Sequence, residues 1–558
     1  MSNPSLTEST LPDLELRVEL TLRQFAVTTE TTVGWAEWIC PRFRLGQIRL
    51  LNSHWTISVR HDEDDIRKYV DALGEFCQEP AGEGCGAARE PAGPAFGPVR
   101  PSWWREPHMA SMHECSEDTE RLARAIARYA RGRIVNPPPL DGPASPQELD
   151  ARAGRTITSG GLGGEEALRI WSEVLAPATI STDHPAFLAF VPGAPTRASV
   201  LFDLVLSASS TYAGSWLEGA GAVWAENQTL RWLADLVGMP ASAGGCFVSG
   251  GTAGNLSALV AARHDAASGR DRPVRWKIAA ADTAHSSVAS AAAVMDVDLI
   301  AIPHDERGRL TGERLAATLA AEDTNGLFAI VASAGSTNAG IVDDLTGVAD
   351  VCAERGVWFH VDGAYGGAGL LAPSVRDRFR GVERADSFIV DPHKWLFAPF
   401  DACALIYRDP AAAHAAHLQK ASYLDSLNAG SGWNASDYAH HLTRRARGLP
   451  LWFSLATYGT DAYRDAVERV LTVTRETADE IRRRKALELV IEPELSVVLF
   501  RRVGWGAEDY ERWWRRALES QIAFVQPTTW MGEKIARLCF VNPRTTLDLV
   551  RAVLDEMT

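Results

Sequence analysis

The chain has 558 residues, a formal net charge of -15, 46% hydrophobic and 23% charged residues. A length of this order calls for two or three packed units, the negative balance argues against a nucleic-acid surface, which needs clustered Lys and Arg, and no apolar stretch approaches the roughly 18 residues of a membrane span. The eight cysteines include no CxxC pair and no His/Cys ligand spacing, and the first residues carry no apolar secretory segment. Neither metal nor disulfides are implied, and a soluble protein of the reducing cytoplasm is expected. The arginine-rich segments IRRRK (481–485) and TRRARG (443–448) read as solvated helix faces.

Residues 1–108 read as an N-terminal extension of unknown role. WTISVRHDEDDIRKYVDALG has the pattern of a strand leading into a helix, and the Pro/Gly-dense stretch 79–107 suits a linker. The functional protein is expected to start near Met109, where CSEDTERLARAIARYARGRI forms a capped amphipathic helix before the Pro-rich joint NPPPLDGPASP. The segment 109–195 is assigned to a helical N-terminal part. From about 240 to 410, short apolar runs alternate with helical ones: GGCFVSGG, WKIAAAD, GLFAIVASA, VWFHVD, SFIVD and CALIYR. Such alternation marks an α/β architecture, a mostly parallel sheet with crossover helices, in a large domain placed at 196–459. Residues 460–558, with LELVIEPELSVVLFRR, DYERWWRRALES and ARLCFVNP, read as a smaller C-terminal α+β domain.

Ligands of such sheets bind beyond the carboxyl ends of the strands, and four features stand there. After CFVS comes GGTAGNLSALVAAR (250–263), a glycine turn entering an alanine-rich helix whose free N–H groups suit a phosphate. By itself that turn is a weak signal, since it is neither GxxxxGK nor GxGxxG. His285 follows WKIAAAD, and an isolated histidine at a strand end is as a rule structural. Asp362 ends VWFHVD among unusually small neighbours, where a buried carboxylate needs a cationic or hydrogen-bonding partner. Lys394 lies within DPHKWLFAPFDACALIYRD (391–409); an ammonium in so apolar a stretch is costly, and a lysine in an apolar pocket has a depressed pKa and attacks aldehydes. The alternative is a snorkelling side chain. A phosphate cradle, a flat imidazole, a carboxylate and an amine together suit pyridoxal 5'-phosphate.

FVSGGTAGNL, AHSSV, HVDGAYGG and DPHKWLFAPFDACALIYR, in this order and spacing, resemble the pyridoxal-phosphate-dependent group II amino-acid decarboxylases, the family of aromatic-L-amino-acid and glutamate decarboxylases, over roughly residues 115–558. The resemblance implies fold type I, with a mostly parallel seven-stranded sheet in the large domain. It implies that Lys394 holds the cofactor's aldehyde, His393 reaches the phosphate, Asp362 pairs with the ring nitrogen, Ala364 sits beneath the ring and His285 stacks above it. Thr252 and Ala253 would give N–H groups to the phosphate, Thr337 would lie near the ring hydroxyl, and Tyr423 in ASYLD would protonate the intermediate from a mobile loop. HPAFLAFVPGAP (184–195) would line the side-chain pocket with Phe190, Val191 and Pro192, joined by Phe400 and by walls from TYAGSW (211–216), a lining for an aromatic or apolar L-amino acid. Gly214, where relatives with aromatic substrates carry a bulky ring, leaves other side chains open. A homodimer is implied as well. The rival readings are transamination or oxidative deamination on the same cofactor, and a catalytically silent binding relative; the latter would have lost Lys394, Asp362 or His285, and all three are present.

Overall fold

The computed structural model describes residues 49–51, 54–56, 113, 115–136, 139–269, 271–425 and 432–557, with the backbone alone described at 49–51, 54–56 and Tyr423. The chain divides into two units, Met1–Met112 with Lys420–Gly430, and His113–Gln419 with Ser431–Thr558. In the first, Arg49–Leu51 (β1) and His54–Thr56 (β2) pair as an antiparallel hairpin, and Ser422–Leu424 forms a short turn of 3-10 helix. The helix and linker expected within 57–108 lie outside the described residues.

The second unit is built on a seven-stranded sheet: Gly244–Val248 (β3), Lys277–Ala281 (β4), Asp298–Ile302 (β5), Leu327–Ser333 (β6), Trp358–Asp362 (β7), Ser387–Val390 (β8) and Cys403–Tyr407 (β9), in the order β3-β9-β8-β7-β6-β4-β5. Strands β4 to β8 run parallel, and β9 is antiparallel to both of its neighbours, β8 and β3. Six of these strands are the apolar runs seen in the sequence. The seventh, DLIAI, is an edge strand with only its last residue fully buried; its four-residue apolar run LIAI was not singled out in the sequence, although it is as continuous as those that were. Central β6 is buried at all seven positions.

Three local choices bring chemistry to one edge of this sheet. The helix Gly251–Ser268 starts directly after β3 and packs across β6 to β9. The register pairs Ser333 of β6 with Asp362 of β7, and Asp362 with Ile389 of β8, so the carboxyl ends of the central strands finish level. His285 caps the helix Ser286–Met295 just beyond β4, its ring accepting from Ser287 N.

A four-stranded antiparallel sheet follows, Leu487–Leu489 (β10), Val497–Arg502 (β11), Thr528–Trp530 (β12) and Glu533–Cys539 (β13), in the order β10-β11-β13-β12. The helices Ala507–Glu519 and Leu547–Asp555 accompany it, the first burying Tyr510 and Trp513. The helix Leu449–Arg483 leads into this sheet and bends at Gly459, whose φ of 77° lies outside the helical range. One apolar core runs through both sheets, with Ile330 and Phe388 of the first and Val498 and Leu538 of the second all within it. Near the amino-terminal end of the unit, Ser116 caps the helix Glu117–Val135, none of whose residues is fully buried by the chain itself.

Candidate active site

At the carboxyl edge of the large sheet lies a cavity of about 290 Å³. Of the residues expected to form a site, Thr252, His285, Thr337, Asp362, Ala364, His393, Lys394 and Phe400 all stand on its wall. They come from the turns after β3, β4, β6, β7 and β8, so residues up to 148 positions apart, from 252 to 400, converge because the strands end level.

The floor is the amino-terminal end of the helix Gly251–Ser268. Its first intrahelical bond runs from Gly254 N to Gly250 O at 3.0 Å, so the N–H groups of Gly251, Thr252 and Ala253 precede the helical ladder. Ala253 offers only its backbone here, its side chain packing against a neighbouring apolar cluster. At Gly251 a Cβ would stand 3.1 Å from Ala364 Cβ and 3.2 Å from Asp391 Oδ2, so only glycine leaves the cradle its width. His393 directs Nδ1 to the Ala402 carbonyl at 2.7 Å, and the Phe400 ring lies 4.9 Å from its own.

Asp362, 8% exposed, receives the Ala364 N–H on Oδ1 at 3.0 Å and the Asn255 side-chain amide on Oδ2 at 2.8 Å. Both carboxylate oxygens are thus held by donors, which compensates its desolvation. Lys394 answers the question its apolar surroundings raise in a way the sequence did not anticipate. Its Nζ lies 2.9 Å from Asp391 Oδ2, and Asp391 is 2% exposed. Burial pushes the amine down, but the Asp391 carboxylate, with Asp362 behind it, outweighs burial and holds Lys394 above the ordinary lysine value. The expectation of a depressed pKa is therefore corrected: the side chain is an ion-paired ammonium, neither a neutral amine nor a snorkelling one.

Three other expectations meet a different geometry. Phe190 is 60% exposed, its ring 6.0 Å from Phe524, and neither it nor Val191 nor Pro192 is on the described cavity wall. The cause is that HPAFLAF is pinned to the small-sheet side: Leu188 N donates to Phe524 O at 2.8 Å, Phe524 N to Ala186 O at 3.0 Å and Cys539 N to Leu188 O at 2.9 Å. TYAGSW contributes no described wall either, and Gly214 has a local explanation, since a Cβ there would collide with the Tyr212 phenol. Tyr423 belongs to the other unit and its side chain lies outside the described residues.

Residues not singled out in the sequence complete the site. Asn255 and Ser287 reach the wall, and Arg537 of β13, 5% exposed, clamps the loop bearing Thr337 by donating to Thr337 O at 2.6 Å and Asn338 O at 3.0 Å. Asn255 had a legible signal: a lone amide three positions after Thr252, on an alanine-rich helix whose neighbouring positions are apolar. Arg537 had none, because an arginine in a strand of the last hundred residues has no sequence link to the loop it holds.

An amine, an acceptor carboxylate, a helix amino terminus and an imidazole around a cavity of this size define the class of enzyme that uses pyridoxal phosphate: each donor has a counterpart on that molecule. The conserved domain of pyridoxal-dependent decarboxylases matches residues 166–503. The chain belongs to this family, and pyridoxal phosphate is its cofactor. It is 33% identical over 380 residues to the aromatic-L-amino-acid decarboxylase of Bacillus atrophaeus, covering 66% of this chain and 79% of that one. It is 34% identical over 384 residues to the L-2,4-diaminobutyrate decarboxylase of Rhizobium meliloti, covering 67% and 77%. Its fold superposes with a TM-score of 0.72, at 25% identity, on Oryza sativa TDC with PLP and tryptamine, covering 79% of this chain and 96% of that one. The fold class read from the sequence, a type I α/β architecture with a mostly parallel seven-stranded sheet, agrees with this neighbour, and the chain is an amino-acid decarboxylase by family.

Proposed function

We propose that the protein removes the α-carboxylate of an L-amino acid with an aromatic or apolar side chain, releasing the amine and carbon dioxide. Bound pyridoxal phosphate supplies the electron sink for the pair left when the Cα–carboxylate bond breaks. Lys394 would supply the amine that anchors the cofactor's aldehyde, held beside Asp391 by their ion pair. The N–H groups of Thr252 and Ala253, with His393, would bind the phosphate. Asp362 would hold a proton on the ring nitrogen, Ala364 and His285 would face the ring, and Thr337 would serve the ring hydroxyl. Tyr423 would be the proton donor to Cα. The residues around the cavity would select which bond breaks by fixing how the substrate carboxylate is oriented.

The observation that carries the side-chain class is the state of the cavity's carboxylates. Asp362 is occupied by Asn255 and the Ala364 N–H, Asp391 by Lys394, and Asp401 by Arg447 Nε at 2.9 Å. Each carboxylate on the described wall already has a donor beside it, only Asp391 Oδ1 being without a partner of its own, whereas Phe400 offers an apolar ring. A homodimer is supported by the exposed apolar side chains Leu201, Leu204, Trp216, Leu217 and Trp224 on the helices Arg197–Ala208 and Trp216–Val237, and by the unburied helix Glu117–Val135. Among the described residues no helix is long and apolar enough to cross a membrane, and the free thiols Cys115, Cys246, Cys352, Cys403 and Cys539 support a cytoplasmic setting.

The test is carbon dioxide release from a panel of L-amino acids, with Lys394→Ala alongside. Release from an aromatic or apolar substrate, absent in the variant, is expected. Release from L-2,4-diaminobutyrate alone would overturn the side-chain class, and amino transfer without carbon dioxide would overturn the reaction.

A further inference from the structure

Behind the cavity, Asp362 and His285 are tied into one polar network. Asn255 Nδ2 donates to Asp362 Oδ2 at 2.8 Å and to Ser287 Oγ at 2.9 Å. Ser287 Oγ lies 2.8 Å from His285 Nδ1, which also accepts the Ser287 backbone N–H at 3.2 Å. On its other side Asn255 Oδ1 lies 2.8 Å from His360 Nε2, His360 Nδ1 lies 2.8 Å from Ser387 Oγ, and Trp358 Nε1 lies 2.8 Å from that same hydroxyl. Asn255, His360 and Ser387 are at most 1% exposed, so water does not compete for these partners.

The network has a direction, because one member can only donate. An indole N–H has no acceptor function, so Ser387 Oγ accepts from Trp358; the Asp362 carboxylate can only accept, so Asn255 turns Nδ2 to it and Oδ1 to His360, which donates from Nε2 and, when neutral, accepts the Ser387 hydrogen on Nδ1. Burial pushes His360 down to about 4 against the opposing charge of Asp362, so the imidazole is neutral and carries its one hydrogen on Nε2. That hydrogen points to Asn255 Oδ1, which fixes the amide and commits its two hydrogens to Asp362 and Ser287. Ser287 passes its own hydrogen to His285 Nδ1, leaving the His285 hydrogen on Nε2.

We propose that Trp358, Ser387, His360 and Asn255 form a one-way hydrogen-bond relay, with Asn255 the positioning residue that aims the Asp362 carboxylate at the cofactor's ring nitrogen and sets the tautomer of His285. The inference rests on the reading of Asp362 as the partner of that nitrogen. It assigns work to two buried residues, Asn255 and His360, that do not themselves take part in bond breaking, and it accounts for polar groups held in an otherwise apolar interior.

Binding affinities separate this from a merely structural role. The cofactor-free full-length protein is titrated with pyridoxal phosphate and with an analogue carrying C–H in place of the ring nitrogen, following tryptophan fluorescence. The unsubstituted protein should prefer pyridoxal phosphate. Asn255→Leu should lower that preference about ten-fold, the lower end of what a hydrogen bond to a charged group is worth, over and above any loss common to both ligands. His360→Leu should lower it about three-fold in the same way, and His360→Gln, which keeps an N–H toward Asn255, should restore it; these two also serve if Asn255→Leu does not fold. Equal losses for both ligands, or His360→Gln no better than His360→Leu, would overturn the relay. No preference in the unsubstituted protein would instead overturn the reading of Asp362 itself.

Discussion

Replacing His360 by glutamine should flatten the pH dependence of stability. His360 is fully buried and its pKa falls from 6.5 to about 4, chiefly by burial, with Asp362 opposing. The sign follows from linkage. The unfolded chain takes up a proton on this histidine as pH drops through 6.5, while the folded chain refuses it until about 4, so stability present above neutrality is lost as pH falls. With these two values the loss is negligible at about pH 7.5 and reaches about 2 kcal/mol by about pH 5. Urea unfolding of the cofactor-free protein at these two pH values, followed by tryptophan fluorescence, gives the difference. His441, pushed by burial to about 4 as well, contributes a similar slope to both proteins and cancels in the comparison. The unsubstituted protein should lose about 2 kcal/mol more than His360→Gln between the two conditions. Parallel losses would mean that His360 is not held neutral, and the direction assigned to the hydrogen-bond relay would fall with it.

Two further outcomes test the site and its support. Arg444 and Glu226, 4% and 2% exposed, form a two-pronged pair at 2.7 and 3.0 Å that also binds Ala213 O, Phe247 O and Gly448 N; Arg444→Met strands the carboxylate and should cost about 3–5 kcal/mol, read as a fall in urea midpoint, partly recovered by adding Glu226→Gln. Asp391→Asn removes the charge that keeps Lys394 protonated, so the pH at which the cofactor-free protein captures pyridoxal phosphate, seen as visible absorbance, should move down; an unmoved midpoint would mean that Asp391 does not govern the amine.

Much of this protein was legible from the chain. The strands that carry the site are short, buried on both faces and bounded by Gly, Asp and His, so GGCFV, KIAAA, LFAIVAS, WFHVD, SFIV and CALIY declare themselves. Because parallel strands present their carboxyl ends to one side, Thr252, His285, Asp362 and Lys394 follow as neighbours from their positions after those runs, before any distance is known. What depends on which residue lies across from which was decided only by the tertiary structure. DLIAI is a strand only because β4 pairs with it at the edge. Lys394 keeps its charge only because Asp391, three residues earlier, turns its carboxylate to 2.9 Å from Nζ. Phe190, Val191 and Pro192 are not on the described cavity wall, although Gly193 after them lies against His393 O and Phe400, because hydrogen bonds to Phe524 and Cys539 set the path of the residues before them. Asn255 and His360, 105 residues apart, meet through helix packing on the sheet. Local pattern records burial and period, which are properties of one segment; a pairing, a pKa and a hydrogen-bond direction are properties of two, and they exist only once the chain has brought the second one near.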